Sequence, residues 1–517
     1  MDNFIIILLT FILSFLVYTL LKFIRNRHLA GAKLHQFYNP IVDNDGILKR
    51  RLGPFEKAMF YMSSEGKEGS GIDITVLLIN SQVSLDASLV QRALSLLNER
   101  YPLLRMRIYE DSSNNLWFKE MEDKSRMIFK TIKDTARNWE RIFEQESQRS
   151  FDMGHGPLWR VTMLQEFFDS DKRHYENCLV FTFHHIISDG GSIMALYSQF
   201  LEYVNNLKAG KNVEVESMKL LEPCFSLMSH KIQATFLENT LFYFLPFVLK
   251  VRSLFFNSKK NPFLEVFPPV ILQNPSAEKK TVVIPRIIKA DEMSKIIKSS
   301  KEHKCTIHGT ITAATHLAMA QILQLGTGNT LPDPVSVKSS FNVSLRKECQ
   351  PEVNTKEFGC FISVNMMDIP TPCAGITKQV FWKFAQECNK MVQSKVAAKD
   401  HHKFLKKFAN VDAKSLLASM IKNDESNGGR FDNMFNISNR GRFSIGEDED
   451  HWLYKFAGTY FAMAEQHAGP PFANCVVSVN GNLYWGLIYY PNIMTRKQAE
   501  EFIDLSLNIL REASTSD

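Results

Sequence analysis

The distribution of apolar positions divides the chain into three kinds of segment. From Phe4 to Leu21 there is no charged residue, and isoleucine, leucine and phenylalanine dominate. Farther along, short β-branched and aromatic runs alternate with stretches of helical periodicity. Ile72 to Asn80 reads as a strand, and it leads into a helix with Leu89, Val90, Ala93, Leu94, Leu96 and Leu97 on one face and Asp86 as the predicted N-cap. Cys178 to Phe183 reads as a buried strand, followed by Ile193, Met194, Leu196, Tyr197, Phe200 and Leu201 at helical spacing. Near the end, Cys475 to Asn480 and Leu483 to Tyr490 flank Gly481, which predicts a hairpin, and an amphipathic helix starts at Lys497. Strands interleaved with helices predict a mixed α/β (α+β) fold. At 517 residues the chain exceeds the roughly 250–300 residues at which a single core stops growing, so two lobes are expected.

The first segment suits a bilayer. At 1.5 Å rise per residue it would cover about 27 Å, close to a hydrocarbon thickness of about 30 Å. Lys22, Arg25, Arg27 and Lys33 follow the run and only Asp2 precedes it, so the positive-inside rule keeps the C-terminal flank cytosolic. The expectation is one N-terminal transmembrane helix, in the endoplasmic reticulum, with the lobes in the cytosol. A cleaved signal peptide ending near Ala30-Gly31-Ala32 fits less well, because the positive charge lies on the wrong side of a long apolar core. A second apolar run, residues 239–249, is too short to span a bilayer and contains Pro246. Two readings stay open for it: an interfacial segment resting on the membrane, or a helix packed against a lobe or lining an apolar tunnel. The expected organisation is anchor and connector at residues 1–46, a first lobe at 47–230, an apolar bridge at 231–275 and a second lobe at 276–517.

Composition narrows the function classes. With 45% hydrophobic and 22% charged residues the chain is globular, and 61 basic against 55 acidic residues form no dense basic run with interleaved aromatics. Nucleic-acid binding is therefore not expected. Eight cysteines are scattered without CxxC or Cys/His metal spacing, and read as free thiols of a reducing compartment. No GxSxG, Walker A or GxGxxG pattern occurs, which argues against a serine hydrolase, a P-loop enzyme and a dinucleotide-dependent dehydrogenase. Sequons at Asn342 and Asn436 fall in segments read as core or cleft-lining, and are expected to be unused.

The densest chemistry lies between Phe181 and Ser192, where His184, His185, Asp189 and Gly190 spell HHxxxDG in the loop between a strand and a helix. A neutral imidazole accepts a proton near neutral pH. Successive strand residues face opposite sides, so one histidine is the candidate general base and the other is structural. Asp189-Gly190 suits a tight turn, and a buried Asp189 would need a cation or several N–H donors. A zinc site at His184, His185 and Asp189 is disfavoured, because adjacent strand histidines diverge and no further ligand cluster is evident.

This motif resembles the active-site signature of the chloramphenicol-acetyltransferase-like superfamily, which includes condensation domains, alcohol acyltransferases, polyketide-associated acyltransferases and wax ester synthases. Other stretches agree in order over roughly residues 47–515: Arg51-Leu52-Gly53-Pro54-Phe55-Glu56, Asn98 to Arg105, Gly156-Pro157-Leu158-Trp159, Phe341 to Arg346, and Ser438-Asn439-Arg440-Gly441. His185 to Asp189 also satisfies the HxxxD pattern of BAHD-type plant acyltransferases, but their DFGWG signature is absent. The wax ester synthase "ND" element is not evident; near its expected place the chain reads Thr306-Ile307-His308-Gly309-Thr310. The resemblance implies two similarly folded lobes with a tunnel between them. It implies direct acyl transfer from acyl-CoA, a co-substrate and not a bound cofactor, to an alcohol, with long-chain or lipid alcohols among the candidate acceptors. His185 would be the base and Asp189 an orienting residue paired with Arg346, while Asn439 and the backbone near Gly441 would be oxyanion candidates. The same resemblance leaves a condensation-type enzyme using a carrier-protein thioester, or a non-catalytic acyl-lipid binder, as alternatives.

Overall fold

A computed structural model of the chain describes residues 36–64, 71–232, 238, 262–267, 280–410, 414–415, 433–464 and 470–515. The uncharged run 4–21 and the segment 239–249 lie outside the described residues, and among those described no helix is long and apolar enough to cross a membrane.

The first half of the chain contributes β1 (Ile41–Val42), β2 (Leu48–Arg51), β3 (Ile72–Ser81), β4 (Met106–Glu110), β5 (Leu116–Glu120), β6 (Ile128–Thr135), β7 (Trp159–Gln165), β8 (Phe167–Asp169) and β9 (His174–His184). Its principal helices are α1 (Pro54–Ser64), α2 (Ala87–Arg100), α3 (Trp139–Ser147) and α4 (Gly190–Lys208). The second half contributes β10 (Val282–Ile288), β11 (Val335–Ser344), β12 (Ile362–Thr371), β13 (Phe435–Phe443), β14 (Tyr454–Met463), β15 (Phe472–Val479) and β16 (Asn482–Tyr489). With them come α5 (Ala290–Glu302), α6 (Ile307–Gly326), α7 (Lys378–Ala397), α8 (Asp400–Asn410) and α9 (Arg496–Ser514).

These strands build three sheets, in the orders β1-β2-β5-β4, β14-β3-β9-β7-β6 and β10-β16-β15-β13-β11-β12. In the first lobe β3 and β9 pair antiparallel along their lengths, with Ile72 opposite His184. Asp86 caps α2 by accepting from the Ser88 N–H. Glu56 closes the start of α1, accepting from the Gly53 N–H (2.7 Å) and pairing with buried Arg50 (2.8 Å). Arg105 pairs with Glu120 and donates to the Asn98 and Glu99 carbonyls that α2 leaves unpaired near its C-terminus.

The lobes do not follow the chain. Tyr454–Met463, inside the segment expected to form only the second lobe, pairs antiparallel with β3 and completes the first lobe's sheet. β3 is buried along almost its whole length, and a free edge there would leave backbone groups unpaired in an apolar setting. Strand β14 removes that edge.

In the second lobe the β15–β16 hairpin turns at Asn480 and Gly481, with φ of 50° and 79°, as a two-residue turn of the primed type requires. One face of this sheet carries the helices: Ser339 on β11 bonds His316 of α6 (2.8 Å), and Phe435 packs on Phe502 of α9. The opposite face meets the first lobe, where Tyr484 packs against Phe456 and Tyr460 of β14. All eight cysteines are free, and all but the half-buried Cys373 are buried.

Candidate active site

The HHxxxDG segment sits where β9 ends and α4 begins. The His184 N–H donates to Leu158 O (2.8 Å) and the His185 N–H to Gly71 O (2.7 Å), which fixes both residues at the strand end. Strand alternation then sends their rings apart.

The two imidazoles carry opposite tautomers. His184 Nδ1 accepts from the Ile186 N–H (3.2 Å), so the proton lies on Nε2, which contacts Ser63 Oγ of α1 at 2.7 Å. Ser63 in turn donates to Met59 O (3.0 Å). His184 is sealed, and burial, aided by His185, lowers its pKa from 6.5 to about 3. It is a neutral packing residue, not a proton carrier. His185 Nδ1 lies 2.7 Å from Ser188 O. A carbonyl only accepts, so Nδ1 holds the proton and Nε2 presents its lone pair. That nitrogen has no hydrogen-bond partner among the described residues, and His185 keeps 8% of its surface exposed. This ring is the one free to take a proton.

Asp189 serves two structures at once. As N-cap of α4 it accepts from the Ser192 N–H (2.8 Å), and it also accepts from the Phe361 N–H (3.0 Å) at the start of β12. Arg346, in the turn after β11, donates through one nitrogen to both Asp189 oxygens (2.8 and 3.0 Å) and to Ser192 Oγ (2.8 Å). Its other terminal nitrogen donates to the carbonyls of Asn354 and Glu357 (2.9 Å each). Both members are almost fully buried. Removing one partner of such a pair strands a buried charge at a cost of about 3–5 kcal/mol.

A second buried pair lies beside it, and sequence reasoning missed it. Asp73 on β3 accepts from Arg440 of β13 (3.1 and 3.3 Å), whose guanidinium also stacks 3.6 Å from the Phe461 ring of β14. Burial raises the Asp73 pKa, while the Arg440 guanidinium opposes that rise and the Asp189 carboxylate adds to it. A lone carboxylate inside Ile72-Asp73-Ile74-Thr75-Val76 was the signal that could have found it, since a charge in an apolar strand needs a partner.

Three expectations need correction. Gly190 does not sit at a positive φ. Its constraint is steric, since a Cβ there would come within 2.6 Å of Arg440 Cγ. A Cβ on Gly191 would likewise come within 3.2 Å of Arg346 Nε. Gly441 does have a positive φ, 95°, but its N–H already donates to Asn439 Oδ1 (2.9 Å) and so is not free for an oxyanion. Asn439 accepts that same bond, which ties its carboxamide into its own strand segment. The residue of that segment that reaches the histidine motif is Arg440.

Comparison with known proteins agrees with this architecture. A family model for the condensation domain matches residues 56–221. Gramicidin S synthase 2 of Brevibacillus brevis is 23% identical over 175 residues, 33% of this chain. The matched stretch spans only 4% of that synthase's length, and the counterpart from Aneurinibacillus migulanus matches to the same extent. Among solved structures, the TRI3 trichothecene 15-O-acetyltransferase from Fusarium sporotrichioides superposes with a TM-score of 0.68 at 11% identity, over 92% of this chain and 98% of that one. The epimerization domain from the third module of tyrocidine synthetase B gives 0.60 at 14% identity (90% and 96%). Polyketide synthase associated protein 5 from Mycobacterium tuberculosis gives 0.59 at 11% (90% and 98%). The fold is therefore the one these condensation-type and acetyltransferase structures share, as the resemblance carried by the histidine motif implies.

Proposed function

We propose that this chain, which has the fold of condensation domains and of a trichothecene O-acetyltransferase, is an O-acyltransferase that moves an acyl group from acyl-CoA to the hydroxyl of an alcohol. The observation that carries the reading is the tautomer of His185: Nδ1–H is held by Ser188 O, and Nε2 is left with a free lone pair beside the junction of the lobes. In the proposed step Nε2 takes the alcohol proton as the oxygen attacks the thioester carbonyl. The tetrahedral intermediate then expels the thiolate, which recovers that proton from the imidazolium, leaving an ester and a free thiol. Help of this kind is typically worth about 10²–10⁴-fold. Holding donor and acceptor together supplies proximity without a covalent acyl-enzyme. Asp73 and Asp189 are positioning residues: their ion pairs with Arg440 and Arg346 hold the second lobe against the histidine loop.

A carrier-protein thioester as donor is the second reading, and the condensation-domain match over residues 56–221 favours it. Membrane attachment through residues 4–21 belongs to the proposal as well. The test is direct: full-length protein is incubated with labelled acyl-CoA or acylated carrier protein and a panel of alcohols, and ester is measured. Ester from acyl-CoA supports the first reading, and ester from the carrier alone supports the second. Ester formed equally well by His185→Ala would remove the base assignment.

A further inference from the structure

The face of the second sheet that meets the first lobe changes character across its width. Toward β16 it is apolar and packed on β14 through Tyr484. Toward β11 and β12 it leaves that contact and becomes partly exposed: Met366 is 54% exposed, and Val364, Asn342 and Ser438 are half-buried. At this place the chain puts carboxamides and hydroxyls. Asn433 and Asn436 both donate to Ser340 Oγ (2.9 Å each), Asn436 also donates to Asn342 Oδ1 (3.2 Å), and Asn342 donates to Ser438 Oγ (3.3 Å). The asparagines of the two sequons, Asn342 and Asn436, are thus partners across β11 and β13.

The ladder is not closed on itself. Asn433 Oδ1 is buried and has no partner among the described residues, although an unsatisfied buried acceptor is costly. The Ser340 and Ser438 hydroxyls each receive bonds and retain a proton to donate. Donors and acceptors alternate, and no member carries a charge. Two residues beyond Ser438, about 7 Å along the strand, Arg440 touches Asp73 beside the histidine motif. A ligand reaching from the base along β13 would therefore lie on this surface.

We infer that Ser340, Asn342, Asn433, Asn436 and Ser438 bind the acceptor, and that the acceptor is a neutral polar alcohol bearing amide or further hydroxyl groups. This rests on the acyltransferase reading and replaces the long-chain aliphatic alcohol of the sequence-based expectation. A simple alkyl chain would leave the unpaired groups of the ladder dry and unsatisfied, and sites built to hydrogen-bond a substrate reject analogues that lack the partner.

The experiment compares 1-octanol with N-(2-hydroxyethyl)octanamide and 1-O-octylglycerol as acceptors for the full chain and acetyl-CoA. Asn342→Leu and Asn436→Leu are measured beside it, with Asn436→Ser as the milder variant should leucine impair folding. The wild type is expected to prefer the amide or glycerol acceptor. Each leucine variant should raise the KM for that acceptor by about 10-fold, the order of one hydrogen bond, while octanol turnover and the KM for acetyl-CoA stay within about 2-fold. Preference for octanol, an equal loss for all three acceptors, or a rise confined to the acetyl-CoA KM would each overturn the inference. Calorimetric titration of the amide acceptor separates the two claims. Binding that Asn342→Leu abolishes, with no turnover of any alcohol, would sink the acyltransferase reading and keep the ladder; no binding and no turnover would sink both.

Discussion

Two neighbouring histidines with opposite proton placement are the sharpest result at the scale of single residues. Identity in the sequence hides a division of labour that hydrogen-bond partners reveal: a backbone donor holds His184 Nδ1, and a backbone acceptor holds His185 Nδ1. Their substitutions should therefore fail differently. His185→Ala is expected to lower kcat by about 10²–10⁴-fold with little change in the urea midpoint. His184→Ala removes a buried ring bonded to Ser63 and should lower stability by about 2–4 kcal/mol while the surviving folded fraction keeps its kcat. Parallel loss of kcat in both, at equal folded fraction, would void the distinction. The ion pair at Asp189 permits a second test. Asp189→Asn and Arg346→Met should each be strongly destabilising, and the double variant should cost less than their sum, because it leaves no stranded charge. Additive unfolding free energies would show that the pair contributes nothing as a pair.

At the scale of elements, the Asp-Gly-Gly run that opens α4 is a docking point for the opposite lobe. Asp189 receives one arginine, and the two missing Cβ atoms leave room for two: Arg440 over Gly190 and Arg346 beside Gly191. Gly190→Ala should accordingly push Arg440 off Asp73 and cost about 1–3 kcal/mol of stability. In an Arg440→Ala background the same substitution should cost almost nothing, and an unchanged cost in that background would refute the steric account. Much of this element was legible in the chain. The strand Ile72 to Ser81, the Asp86 cap, the hairpin at Gly481 and the final amphipathic helix all follow from local periodicity and turn chemistry, which act over a few residues. The Arg440–Asp73 pair and the passage of β14 into the first lobe were not, because a strand's own pattern states that it is half-buried and says nothing about which edge it joins. Asn439 and Gly441 drew attention for the same reason: the Ser438–Gly441 element was visible, but which of its side chains crosses to the other lobe depends on the bulge between Asn439 and Arg442.

For the whole molecule, the two lobes are joined by an exchanged strand and by two buried ion pairs that converge on one loop, so the site exists only while both lobes are folded together. Stability and activity should then share a pH limit. Three histidines distributed over both lobes are held neutral by burial: His184 and His316, each lowered to about 3, and His308, lowered to about 4. In the unfolded chain each returns to a pKa near 6.5. Above that value neither state binds the proton and the three contribute no pH dependence. Between about pH 6.5 and pH 4 the unfolded state takes up protons that the folded state refuses, so stability falls as pH falls, by up to about 1.4 kcal/mol per pH unit for each histidine. Urea midpoints measured from pH 7.5 to 4.5 should decline accordingly, with activity lost over the same interval. His316→Gln, in the second lobe and remote in sequence from the motif, should flatten the slope by less than a third, since burial also lowers His402 and that ring keeps contributing beside the other two. A slope unchanged by that substitution would mean that other groups set the acid limit and that these buried rings do not.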